Sequence, residues 1–175
     1  GDPLAEPQIV ATRANGIQYS ITEGGDRFFV LTNRNAKDST ICEVPVADPR
    51  PEHWTEIVPH RAGRLILSVS AYRNHMVRLE REDGLPRIVI RDRNSGNEHE
   101  IAFAEEAYSL GFQGAGEYDT EVVRFTYSSM TTPEQTYDYQ METRARTLRK
   151  QQQVPSGHDP AHYVTRRLHA RASDG

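Results

Sequence analysis

Seven histidines, one cysteine and several close carboxylate pairs are the side chains of this sequence that could do chemistry. The closest histidine pair, His158 and His162, stands four positions apart, the spacing at which one helical face can present two imidazoles to zinc. His158 precedes the helical turn expected there and Pro160 separates the two, so a shared face is not expected and no metal ligand is assigned. No serine or cysteine sits in the G-x-S-x-G context that exposes a nucleophile on a strand-to-helix elbow. Ser128 and Ser129 read as turn hydroxyls at the end of a strand. Gly111-Phe112-Gln113-Gly114-Ala115-Gly116 has the glycine content of a phosphate loop, but no helix pattern follows to receive the anion, and a bend between strands is expected. The carboxylates Glu105-Glu106 and Glu80, Glu82 and Asp83 read as solvated charges near turns. Cys42 lies between Ile41 and Val44 in a strand pattern, which predicts a packed, reduced thiol and a cytoplasmic protein. The residues therefore predict no catalytic, substrate-binding or metal site in this chain, and no cofactor.

The elements around these residues follow a period. Hydrophobic segments centred on Phe29, Val77 and Phe125 recur every 48 residues, and the next segments, at Cys42, Ile90 and Asp138, keep the same offset. Several short strands per unit without a helical run is how the blades of a β-propeller read in sequence. The alternation predicts four strands in each unit: 17–21, 27–32, 40–44 and 54–58; then 65–70, 75–80, 87–91 and 98–101 with Phe103; then 108–110, 122–127, 136–139 and 145–148. Turns are expected at Glu23-Gly24-Gly25-Asp26, at Asp83-Gly84-Leu85-Pro86 and at Ser129-Met130-Thr131-Thr132-Pro133. The fold class is thus all-β, a partial β-propeller over 1–153 with three four-stranded antiparallel blades at about 17–59, 64–104 and 108–152. Closed propellers use about four to eight blades, so three are expected to belong to something larger.

After the third unit, Val154-Pro155-Ser156-Gly157 opens a linker over 154–162. Asp159 and Pro160 have the chemistry of an N-cap and first helical position, predicting one helical turn. Tyr163 to Ala172 reads as a strand that begins a second module over 163–175, with a turn at Ser173-Asp174-Gly175. Hydrophobic residues at 36% and charged residues at 26% exclude a disordered chain, and no apolar run reaches the ~18 residues of a membrane-spanning helix. The start, Gly1-Asp2-Pro3, has no signal-peptide pattern and fits a processed or excised start. The net charge of −4 divides into −9 over residues 1–143 and +5 over 144–175. The basic end lacks aromatics interleaved with Arg144, Arg146, Arg149 and Lys150, so neither a nucleic-acid nor a membrane partner is expected.

Several stretches resemble a known family. Gly25-Asp26-Arg27-Phe28-Phe29, Ala47-Asp48-Pro49 through His53-Trp54, Val58-Pro59-His60-Arg61, Tyr127-Ser128-Ser129-Met130-Thr131-Thr132-Pro133 with Tyr137-Asp138-Tyr139, and Ala172-Ser173-Asp174-Gly175 are similar to the C-terminal propeller blades of oligopeptidase B, in the prolyl oligopeptidase group of serine peptidases. The resemblance implies a seven-bladed propeller capping an α/β-hydrolase domain whose Ser-Asp-His triad lies beyond this chain. It implies cleavage of short peptides after Arg or Lys, with the propeller limiting access to the site. The chain would then be a non-catalytic, inactive fragment whose partners are the hydrolase domain, the remaining blades and an oligopeptide substrate. His158, Asp159, Pro160 and Tyr163 become the candidate interdomain hinge. Two uncovered blade faces and a terminal strand also lead us to expect that the isolated chain self-associates. An independent propeller serving as a protein-interaction scaffold is the alternative.

Overall fold

A computed structural model describes residues 6–112, 114 and 116–173. Among the described residues, twelve strands form three antiparallel sheets, each with its strands in chain order. The first sheet holds β1 (Tyr19–Glu23), β2 (Arg27–Thr32), β3 (Thr40–Pro45) and β4 (Thr55–Val58). The second holds β5 (Arg64–Ala71), β6 (His75–Glu82), β7 (Leu85–Asp92) and β8 (Glu98–Glu100). The third holds β9 (Ser109–Phe112), β10 (Val122–Ser128), β11 (Gln135–Gln140) and β12 (Arg146–Gln151). The only helical turns among the described residues are two 3-10 turns, Pro51–His53 and Pro160–His162. Neither is long or apolar enough to cross a membrane.

The 48-residue period marks equivalent places: Phe29 in β2, Val77 in β6 and Phe125 in β10 are all buried in the second strand of their sheet. Because successive strand side chains point to opposite faces, β6 serves both neighbours. Met76 joins Phe29, Ile41, Val58, Ile66 and Val69 between the first and second sheets. Val77 joins Ile88, Ile90, Ile101, Phe125 and Tyr139 between the second and third. The outward faces differ. That of the first sheet carries Val30, Cys42 and Val44 with Phe28 and Trp54, and leaves Tyr19, Ile21 and Val46 exposed. That of the third carries Arg124, Asp138 and Arg149, joined by ion pairs.

The second sheet also buries charge on its Met76 side. Arg78 Nε donates to Glu80 at 2.8 Å, and its two terminal nitrogens grip Glu98 at 2.8 Å each. Burial pushes the Glu98 carboxyl up, but Arg78 and Arg91 outweigh it and hold the group below its ordinary range.

Four expectations need correction. Glu80, expected as a solvated charge near a turn, is 3% exposed and paired with Arg78. β1 begins at Tyr19 and not at Ile17, because Gln18 N–H is taken by the Asn33 side chain at 2.7 Å. The expected four-residue turn at 83–86 is only Asp83-Gly84, with φ of 52° and 75°, the pattern of a type I′ hairpin. Leu85 and Pro86 open β7, where Pro86 opposes Arg81 near the strand start, a place that tolerates a missing N–H. Finally, Tyr163 to Ala172 forms no ladder with any strand among the described residues, and within it only Thr165 and Arg167 are half-buried. β-branched side chains suit a strand, but a strand requires a neighbouring edge, and none is paired here. Gln113, Ala115, residues 1–5 and the turn positions Asp174 and Gly175 lie outside the described residues.

Candidate functional site: a tail anchored across two blades

Antiparallel strands in chain order send alternate turns to opposite ends of the sheets. One end carries the β6–β7 turn, the β10–β11 turn and the connection from β8 to β9. The segment from His158 to Arg167 lies across it.

At its centre is Glu105. Its carboxylate accepts from Ser129 Oγ at 2.6 Å, Thr131 Oγ1 at 2.5 Å, Thr132 Oγ1 at 3.0 Å and the Tyr127 hydroxyl. Thr165 Oγ1 of the tail adds a longer contact at 3.4 Å. Local turn chemistry preorganises this nest: Ser129 Oγ accepts the backbone N–H of Thr131 at 3.0 Å and of Thr132 at 2.8 Å. The hydroxyl proton of Ser129 is thereby left to point at Glu105. Burial would raise the Glu105 carboxyl, but the hydroxyls of Ser129, Thr131, Tyr127 and Thr132 outweigh it and bring the pKa to about 2. Burial, reinforced by the Glu105 charge, pushes the Tyr127 phenol up.

This constellation superficially pairs a serine with an acid, yet it is built to hold and not to react. A carboxylate of pKa about 2 is too weak a base to draw a proton from a hydroxyl near neutral pH. What the geometry does well is clamp. Arg167 N–H donates to Glu106 at 3.0 Å, Arg166 pairs with Glu106, and Arg167 reaches Asp83 in the β6–β7 turn at 3.1 Å.

The four hinge candidates fall at the start of this segment. His158 Nε2 donates to the Thr131 carbonyl at 2.7 Å, which assigns the Nε2–H form of the ring. The His158 and Tyr163 rings stack at 5.4 Å and 14°. Asp159 accepts the Ala161 N–H at 3.0 Å as N-cap, and Pro160 takes the first position of the 3-10 turn. His162 is not brought to His158; it faces Asp159 at 3.7 Å. An open groove of about 620 Å³ runs between the tail and the third sheet, walled by Phe103, Tyr127, Tyr137, Arg146 and Tyr163. Arg146 lies 4.8 Å above the Phe103 ring.

Sequence reading missed Glu105 and Glu106, which it took for solvated loop charges, and it missed their partners Arg166 and Arg167. The available signal was three hydroxyl residues, Ser129, Thr131 and Thr132, in four positions with no evident use for them.

Comparison with known proteins agrees with the architecture. The family model for the prolyl oligopeptidase N-terminal beta-propeller domain matches residues 3–152. Dipeptidyl aminopeptidase BI of Pseudoxanthomonas mexicana is 31% identical over 177 residues, covering 99% of this chain and 24% of that protein. Protease 2 of Moraxella lacunata is 25% identical over 174 residues, covering 99% of this chain and 24% of that protein. The chain therefore spans about a quarter of the length of the curated relatives it matches. Oligopeptidase B from Leishmania major superposes with a TM-score of 0.87 at 26% identity, over 95% of this chain and 25% of that one. Oligopeptidase B from Trypanosoma brucei, in a closed form with covalently bound antipain, gives 0.85 at 29% identity over the same shares. A family match over most of its length, on a fold of three such sheets, places this chain in the prolyl oligopeptidase N-terminal β-propeller domain family.

Proposed function

We propose that this chain is the non-catalytic propeller portion of a cytoplasmic serine oligopeptidase that cleaves short peptides after Arg or Lys. In this reading the blades restrict entry to short, unfolded peptides, and His158 to Arg167 is the hinge segment leading to the hydrolase domain. The likeness to the two oligopeptidase B structures over 95% of the chain carries the proposal. The tail supports it independently. A segment pinned by Glu105, Glu106, Asp83 and the Thr131 carbonyl leaves the propeller in a defined direction, as a domain connection must.

The test is an assay of the full-length protein with Arg, Lys and Pro reporter peptides. It includes a dipeptide reporter with a free N-terminus, because one relative is named a dipeptidyl aminopeptidase. Preference for Arg and Lys, with folded proteins left intact, is expected. Preference for Pro, or cleavage of folded proteins as fast as of peptides, would overturn the reading.

A further inference from the structure

The opposite end of the second and third sheets carries a separate cluster. His75 opens β6 and stands directly across from Asp92 at the end of β7. Glu142 reaches them from the turn between β11 and β12 in the third sheet. One donor atom from each of the three lies within 4.8 Å of the others. The His75 side chain is only 5% exposed. Its Nδ1 is buried with no hydrogen-bond partner among the described residues, and its Nε2 faces the Glu142 carboxylate at 3.5 Å, beyond a good hydrogen bond. The ring nitrogen that faces the carboxylate thus makes no good hydrogen bond, and with Nε2 as the unprotonated nitrogen its lone pair is open to a cation held by the acids.

We propose that His75, Asp92 and Glu142 bind a divalent transition metal, zinc before manganese, which clips the third blade to the second. The donor set, one imidazole and two carboxylates, suits a borderline cation better than calcium or magnesium, which take oxygen alone. Asp92 is already arranged as a ligand. One carboxylate oxygen accepts Asn94 N–H at 2.9 Å, Ser95 N–H at 2.6 Å and Ser95 Oγ at 2.8 Å, which fixes its orientation and leaves the other oxygen for a cation. Glu142 is 72% exposed, so it can swing inward without breaking any packing.

The surroundings include an unpaired imidazole and one opposing charge. His99 on β8 has a buried Nε2 without a hydrogen-bond partner among the described residues, but it does not belong to the three-residue cluster. Arg144, in the same turn as Glu142, is near enough to act on His99 electrostatically. Its positive charge opposes a cation at this end of the blades. The clip differs from the tail anchor in every residue and sits at the other end of the blades. Its failure would leave the proposed peptidase role untouched.

The experiment is calorimetric titration of the chelator-treated full-length protein with zinc, manganese and calcium chlorides at pH 7.5. One equivalent of zinc is expected to bind, with calcium giving no saturable heat. Glu142→Gln should weaken zinc by about tenfold or more while the metal-free melting temperature stays unchanged. His75→Gln should likewise weaken zinc, and His162→Ala should change nothing. X-ray absorption of the zinc-loaded protein should show a nitrogen and oxygen shell at about 2.0–2.1 Å containing imidazole and no sulfur. Absence of saturable zinc binding, or binding that survives Glu142→Gln or disappears with His162→Ala, would overturn the proposal. If His75→Gln does not fold, Glu142→Gln and the absorption spectrum decide.

Discussion

Glu105 and Thr165 stand 60 residues apart in sequence, yet the Thr165 hydroxyl contacts the Glu105 carboxylate at 3.4 Å. The same carboxylate accepts three hydroxyls from the Ser129–Thr132 turn, so one acid couples the end of the third sheet to the segment that leaves it. Replacing it with glutamine keeps the shape but puts an NH₂ donor where hydroxyl donors converge. Glu105→Gln is expected to cost about 1–3 kcal/mol of stability. It should also speed trypsin cleavage after Arg166 and Arg167. Urea midpoints and a limited-proteolysis time course measure the two effects; unchanged cleavage would sever Glu105 from the tail.

The pH dependence of that variant follows from the same group. Glu105 titrates at about 2 in the fold against an ordinary value of 4.5, so between these limits the unfolded chain binds more protons than the folded one. Its contribution is complete above about pH 4.5 and is lost as the pH falls toward 2. The stability gap between wild type and Glu105→Gln should therefore be widest at pH 6–7 and narrow steadily below 4.5. Denaturant melts at several pH values test this, and a gap that widens on acidification would contradict the sign.

Arg78 holds together a cluster of buried charge. Its guanidinium neutralises Glu80 and Glu98, so Arg78→Met leaves buried Glu80 with only the long Arg64 contact at 3.9 Å and Glu98 with Arg91, and is expected to cost about 3–5 kcal/mol. The double change Arg78→Met with Glu80→Leu leaves only Glu98, which retains Arg91, and should recover much of that loss. A double-mutant cycle by chemical denaturation measures the coupling. If the double variant is as unstable as the sum of the singles, the pair is not coupled.

Self-association of the isolated chain is expected at the first sheet's outward face, where Tyr19, Ile21 and Val46 are exposed. Each 100 Å² of such surface buried is worth about 2.5 kcal/mol. The third sheet presents Arg124, Asp138 and Arg149 instead, and the tail is held against its own blades. Ile21→Lys should shift light-scattering mass toward monomer across a concentration series, whereas Arg167→Ala should not. The reverse result would assign association to tail exchange.

The blades were legible in the sequence because their cause is local and periodic. Alternation in residues such as Val77, Arg78, Leu79 and Glu80 follows from the strand pleat, and the 48-residue offset repeats it three times. The cap at Asp159 and Pro160 was legible for the same reason, since its partner Ala161 is two residues away. Glu105 was not, because its meaning lies in contacts 22 to 60 residues distant. The Tyr163 to Ala172 segment misled through composition: strand-forming residues specify a strand only where an edge receives them. Asp138 shows the limit of the period itself, which marks its place in β11 but not its outward ion pair with Arg124.

The tail is fastened by side chains at Asp83, Glu106, Glu105 and the Thr131 carbonyl, with no ladder beneath it. A ladder resists tension collectively, whereas fastenings of this kind yield one after another. A pull on the chain beyond Arg167 would load the bond to Asp83 in the second blade before reaching Thr131 in the third. Tension would thus arrive first as torque across the seam between two blades, and the strap would act as a lever on their relative tilt before it worked loose from either.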